Sequence, residues 1–233
     1  MQQSKFFKGL RNAEMRLRRA EKELERTKHL ATTGDMTGAF GTAFAFEAEV
    51  EKLVLLARTL PAHTGHPHAR ELSDQLMLHA IPVEMGYAAS GWFCLKIPAL
   101  LPKKESGSPV YIQEYLYPAM RLFFQGKPPT LYQRCVMAFR NIYSKDRPER
   151  SYRDHDNIEY NMVADIVALY LLPDDAPRWC SHFYCSAAGT EDQTEVYIIP
   201  HDLFPDWLEE ERNDRLKEEP LYETPPIWPP KDK

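Results

Sequence analysis

Residues 134–175 read RCVMAFRNIYSKDRPERSYRDHDNIEYNMVADIVALYLLPDD, and the order of patterns inside this stretch decides the fold. Cys135, Met137 and Phe139 alternate with Val136, Ala138 and Ile142, the period-two signature of a strand. From residue 157 the apolar positions Ile158, Met162, Val163, Ile166, Val167 and Tyr170 fall at helical spacing. A polar loop, SKDRPERSYRDHD, joins strand to helix, and Asp174-Asp175 stands at the far end of that helix. Strand, loop, helix and acidic turn together predict an α+β domain.

Outward from this centre, GWFCLKIPALLP (91–102) begins with a strand that sets Phe93, Leu95 and Ile97 against Trp92 and Cys94. A helix is predicted from Ile112 to Phe124. Downstream, RWCSHFYCS and TEVYIIP flank AAGTEDQ and read as a hairpin. Toward the N-terminus, Phe6, Leu10, Ala13, Leu17, Ala20, Leu24 and Ala31 mark one apolar stripe, and Met36, Ala39, Ala43, Phe46, Val50, Leu53, Ala57 and Leu60 mark a second. TTGD between them supplies a glycine helix end and a new N-cap. An antiparallel helical hairpin over residues 1–66 follows, packed through Leu10, Leu17, Leu24, Phe46, Val50 and Leu53. A short helix is predicted over 68–81. HTGHPH (63–68) crowds His63, His66 and His68 into a Pro/Gly turn and reads as the boundary to a domain over 67–205. An acidic, proline-bearing tail occupies 206–233.

The 233 residues, 43% of them hydrophobic, suffice for one sizeable core with a helical extension. Four cysteines, Cys94, Cys135, Cys180 and Cys185, are too sparse for a disulfide scaffold, so a reducing cytoplasm is expected. No stretch approaches the ~18 apolar residues of a membrane span, and no apolar leader is read at the start. The formal charge of −5 hides an asymmetry. Residues 1–30 carry nine Lys/Arg against four Glu, whereas 201–233 carry ten Asp/Glu against five Lys/Arg.

Asp154-His155-Asp156-Asn157 is the chemical centre. Two carboxylates one residue apart can point into one site, and a third arriving from beyond the helix can complete an oxygen set for Mg²⁺, the ion that activates water against phosphodiesters. The plainer reading is that Asp156 or Asn157 caps the helix and Asp174 and Asp175 form an ordinary polar turn. Lys145, Arg147, Arg150 and Arg153 precede the acidic pair with Tyr152 among them. They suit phosphate contacts, or equally a solvated loop paired with Asp146 and Glu149. Cys180-x-His182-x-x-Cys185 looks like a fragment of a zinc site, but on a strand Cys180 and His182 face one side and Cys185 the other.

From LKIPALLP through the strand CVMAFRNIY, the basic loop, Asp-x-Asp-Asn, its helix and the closing Asp-Asp, about half of the chain resembles the RusA family of Holliday-junction resolvases. The sixteen residues between Asn157 and Asp174 match that family's separation. The resemblance implies a small mixed sheet with helices, and Asp154, Asp156 and Asp175 as catalytic, metal-binding carboxylates with Asp174 beside them. It also implies Mg²⁺ as cofactor, branched DNA as substrate in recombination or repair, and a homodimer making two symmetric cuts, and it points to a phage or mobile-element origin. The family's lysine four residues after the second aspartate is replaced here by Tyr160, which is uncharged at neutral pH. Lys145, Arg150 or Arg153 would have to supply the charge. The alternative is a catalytically silent DNA-binding or adaptor protein that assembles through its helical hairpin.

Overall fold

A computed structural model describes residues 2–127, 130–147, 152–174, 176–216 and 219–225. The protein is α+β: N-terminal helices precede a mixed six-stranded sheet with helices. The chain divides into two units, residues 1–76 with 105–111, and residues 77–104 with 112–233.

In the first unit, α1 (Gln2–Thr32) and α2 (Met36–Thr59) form the expected antiparallel hairpin. Gly34 takes a left-handed φ of 84° at the turn, which a glycine adopts without the steric cost of a Cβ. Asp35 then caps α2, its Oδ1 accepting from Gly38 N at 2.9 Å. The expected seam is rotated, however. Ala20 and Ala39 are buried, while Leu17 and Leu24 remain 49% and 40% exposed. Two cross-helix polar pairs set this rotation: Arg16 Nη1 meets Glu49 Oε2 at 2.9 Å, and Thr27 Oγ1 donates to Thr42 Oγ1 at 2.9 Å. The small alanines let the backbones approach where leucines would hold them apart. Beyond the turn Pro61–His63, α3 runs over Ala69–Ala80, as its spacing predicts.

The second unit is built on strands β1 (Glu84–Ala88), β2 (Phe93–Ile97), β3 (Cys135–Ser144), β4 (Cys180–Gly189), β5 (Gln193–Pro200) and β6 (Leu221–Tyr222), in the order β4-β3-β5-β2-β1-β6. The β3–β4 pair is parallel and every other pairing is antiparallel. Residues 112–123 of helix α4 (Ser108–Phe123), with α5 (Asn161–Leu171) and α6 (Phe204–Arg212), complete it. β3 is buried along nine of its ten residues, as a central strand covered on both faces must be. On one face Phe139 packs on Tyr160, and Phe124 stacks on Tyr170. On the other, Trp92, Cys94, Ala138, Tyr197 and Ile199 surround the fully buried Trp207 of α6.

Two expectations are corrected. β4 and β5 are no hairpin, because β3 lies between them and pairs with both. The short connection crosses over the end of β3, where Asp192 Oδ1 accepts from Ser144 N at 2.9 Å and Gly189 O accepts from Lys145 N at 3.0 Å. A side chain at Gly189 would collide with Ile142 Cγ2. Nor are the described residues from 207 to 225 a loose tail, since Trp207 and Leu216 are buried and β6 pairs with β1; residues 226–233 lie outside the described residues.

The core holds a charge. Arg140 and Glu195, in register on β3 and β5, are each 1% exposed and meet at 3.0 Å. The remaining guanidinium nitrogens reach Glu211 Oε1 at 3.5 Å and Asp214 Oδ1 at 3.2 Å, and Tyr197 OH donates to Glu195 Oε2 at 2.9 Å. Arg140→Ala strands Glu195 in the core, an expected loss of ~3–5 kcal/mol in urea unfolding. Lys28→Ala breaks only the exposed pair with Glu25 and is expected to shift the midpoint little.

Candidate functional site

The parallel pair β3–β4 is joined through α5, so the carboxyl ends of both strands, at Ser144 and Gly189, open onto one end of the sheet. Crevices at the carboxyl ends of parallel strands are where open α/β sheets bind ligands. The Asp154–Asp156 segment lies at this end, held there from three sides. Tyr143 OH accepts from Arg153 N at 3.1 Å, and its ring stacks on Tyr152 with centroids 4.1 Å apart. Lys104 N donates to Asn157 O at 2.8 Å, and Glu159 N donates to Pro102 O at 3.0 Å. His155 Nε2 lies 3.1 Å from Ser186 Oγ on β4. These clamps force the short 3-10 turn His155–Asn157 and an isolated bridge between Ile158 and Lys103. That is why α5 begins at Asn161 rather than at 157.

The turn therefore does not cap the helix. Tyr160 occupies the N-cap position of α5 without a side-chain capping bond, and Glu159 Oε1 accepts from Met162 N at 3.3 Å. Asp154 and Asp156 are both exposed, and Asp154 makes no capping bond either. Both carboxyl side chains thus stand exposed on a turn held from three sides. Asp174 is exposed beyond the opposite end of α5, whose eleven residues span about 16 Å at the usual rise. Of the predicted carboxylates, Asp154 and Asp156 precede α5 and Asp174 follows its far end. Among the described residues no three of His, Cys, Asp or Glu form a metal-holding group. Asp175 and Arg150 lie outside the described residues.

Of the basic loop, Lys145 is exposed. Arg147 is drawn inward, its Nη2 2.6 Å and its Nε 3.0 Å from Asp192 Oδ2. Arg153 donates to the carbonyl of Leu101. These two arginines hold loops together, a role that charge counting does not distinguish from phosphate contact.

Tyr160 faces inward. It is 4% exposed, its ring lies 4.7 Å from Phe139 and 4.8 Å from Tyr184, and its hydroxyl accepts from Asn141 Nδ2 at 2.6 Å. Burial pushes the phenol well above its ordinary range, so it is neutral at every physiological pH. The position belongs to the floor under the acidic turn.

Cys180 and His182 share one face of β4, while Cys185 turns to the other, near Arg140 and Glu211. What spacing did not reveal is Cys135, which pairs in register with Cys180.

Residues 2–224 match a family of unknown function, DUF6100, and the chain belongs to that family. No curated protein matches it.

Tyr160→Lys is expected to place an ammonium among Phe139, Tyr184 and Asn141 and to destabilise the fold by ~2–5 kcal/mol. Tyr160→Phe, which removes only the partner of Asn141, is expected to cost ~1–3 kcal/mol. Thermal unfolding of the two variants beside the wild type checks both the size and the order.

Proposed function

We propose that this member of the DUF6100 family is a RusA-like, Mg²⁺-dependent endonuclease that acts on branched DNA as a homodimer in a reducing cytoplasm. The observation that supports the reading is the pair of exposed carboxylates, Asp154 and Asp156, on a turn clamped at the carboxyl ends of β3 and β4.

The donor chemistry fits the ion. Mg²⁺ is commonly held by one or two carboxylates, with waters and substrate phosphates completing its octahedron, and two exposed aspartates provide that minimum. Asp154 and Asp156 would hold it; Asp174 stands beyond the far end of α5, and Asp175 lies outside the described residues. When bound, the ion would polarise the scissile phosphate and favour hydroxide from a coordinated water. The chain's own groups do the positioning. His155, tied to Ser186, fixes the turn between the two carboxylates. Lys145, exposed at the end of β3, is available to a flanking phosphate, a salt-sensitive contact without sequence information. Tyr152, stacked on Tyr143 and 38% exposed, offers a face to an unpaired base at the branch.

A second reading has its own support. With Tyr160 buried and Arg147 and Arg153 engaged inside the protein, Lys145 is the one exposed cation of the described loop residues. A domain that binds junctions with little or no cutting would look the same.

Cleavage and gel-shift assays on a four-way junction at fixed salt separate the two. The endonuclease reading expects Mg²⁺-dependent strand cuts by the wild type. Asp154→Asn and Asp156→Asn are each expected to slow cutting by ~100-fold or more with binding retained, and Lys145→Ala to weaken binding. Binding without cuts by the wild type supports the silent reading, and the absence of binding overturns both in favour of an adaptor.

A further inference from the structure

We propose that Cys180 is a peroxide-reactive thiol on the β3–β4 seam, with Cys135 as its resolving partner and His182 as its proton donor. This two-cysteine oxidation site is separate from the acidic turn.

The geometry begins with register. Cys135 and Cys180 are direct partners on adjacent parallel strands. Neighbouring strands lie about 4.7–4.9 Å apart, inside the window of about 4.4–6.8 Å that a disulfide requires between Cα atoms. In-register partners also point to the same face, so the two side chains are neighbours across the seam, and the Cys180 thiol donates to Ser181 O at 3.7 Å. His182, two residues along β4, returns to that face beside Cys180. Its other approach is set by Tyr184, whose hydroxyl lies 3.2 Å from His182 Nδ1, and by the edge of the Phe139 ring. A nucleophile, a base within reach and a third group orienting the base is the general arrangement of an activated thiol.

Charge and access agree with the geometry. Cys135 first, and His182 beside it, hold the Cys180 thiol below its ordinary range, whereas Cys180 and burial push Cys135 above it. The edge position of β4 and the neighbouring His182 single out Cys180 as the reactive member of the pair. Cys180 opens an edge strand and is 7% exposed, with the exposed His182 beside it. The other two cysteines act as internal controls. Burial pushes Cys94 upward and Cys185 up to about 12, and both feel the like charge of Glu195, so both remain inert thiols.

The chemistry balances with a hydroperoxide as oxidant. The Cys180 thiolate attacks one peroxide oxygen, the O–O bond breaks, and the departing alkoxide or hydroxide takes a proton from the His182 imidazolium. Cys180 is left as a sulfenic acid. The Cys135 sulfur then attacks the Cys180 sulfur, the S–S bond forms, and hydroxide departs with the Cys135 proton as water. Two thiols lose two electrons in all, and the peroxide is reduced to one alcohol or water and one further water. In a reducing compartment such a disulfide is transient and suits sensing.

The test is mass mapping of the intact, reduced full-length chain after brief exposure to stoichiometric hydrogen peroxide. The expected product is a Cys135–Cys180 disulfide that forms before any change at Cys94 or Cys185. In Cys135→Ser, dimedone is expected to trap Cys180 as its sulfenic acid, and His182→Gln is expected to slow that trapping about tenfold or more with circular dichroism unchanged. Oxidation of Cys94 or Cys185 at the same rate, or no Cys135–Cys180 disulfide in the wild type, would overturn the proposal, and both readouts need no variant to fold.

Discussion

Arg140 is the constraint on which the second unit depends. A guanidinium at the middle of the central strand cannot remain buried without countercharge, and the fold supplies it from three places: Glu195 in register on β5, Glu211 at the end of α6, and Asp214 just beyond. Asp214 adopts a φ of 53°, the only positive value at a described non-glycine residue, and a left-handed backbone there carries a cost that the contact with Arg140 offsets. The same contacts explain why the acidic C-terminal stretch packs under the sheet. Its negative charge neutralises a buried cation while Trp207 and Leu216 fill the apolar space around it. Such a network contributes less net stability than its contacts suggest, because desolvation opposes attraction. Its larger effect is to make one pairing of strands far better than the alternatives.

Opposite faces of β3 serve opposite ends. Arg140 points to α6, and Asn141, the next residue, points the other way to hold Tyr160. Tyr143 continues that second face and grips Arg153. The acidic turn is therefore referenced to the most buried strand in the molecule through two tyrosines. Rigid positioning of exposed carboxylates is what a cation site requires, and an ordinary surface turn has no need of it. The replacement of the resembled family's lysine by Tyr160 reads differently in this light: the tyrosine serves the floor of the turn, and a charge acting on phosphate would come from the surface, where Lys145 stands.

Much of this was legible in the residue pattern, and the failures have physical causes. β2, β3, α4, α5 and the helical hairpin follow from periodicities of two and 3.6 residues. The opposed faces of Cys180 and Cys185 follow from strand alternation alone. β1 escaped because Glu84–Ala88 includes a glycine and little alternation, and its pairing with β2 and β6 is what makes it a strand. The β4–β5 segments looked like a hairpin because only three residues separate them. That a third strand inserts between them is a long-range fact, enforced by Asp192 and Gly189 closing the end of β3. The rotated α1–α2 seam has the same character, since Arg16–Glu49 and Thr27–Thr42 outweigh a leucine stripe that spacing alone favours. Acidic composition suggested a tail where the buried Arg140 required a lid. The partnership of Cys135 with Cys180, 45 residues apart in the chain, needed the strand register before it could be seen.

The central claim, that the turn at Asp154 and Asp156 is a divalent-cation site, is tested most directly by titrating Mn²⁺ into isotopically labelled protein and following paramagnetic broadening of backbone amides. The account predicts broadening centred on residues 154–157 and the adjoining end of β4 around Ser186, lost in Asp154→Asn and Asp156→Asn while the remaining spectrum is unchanged. Broadening centred elsewhere, as on the acidic surface of α6, or a turn that stays sharp throughout the titration, would contradict it.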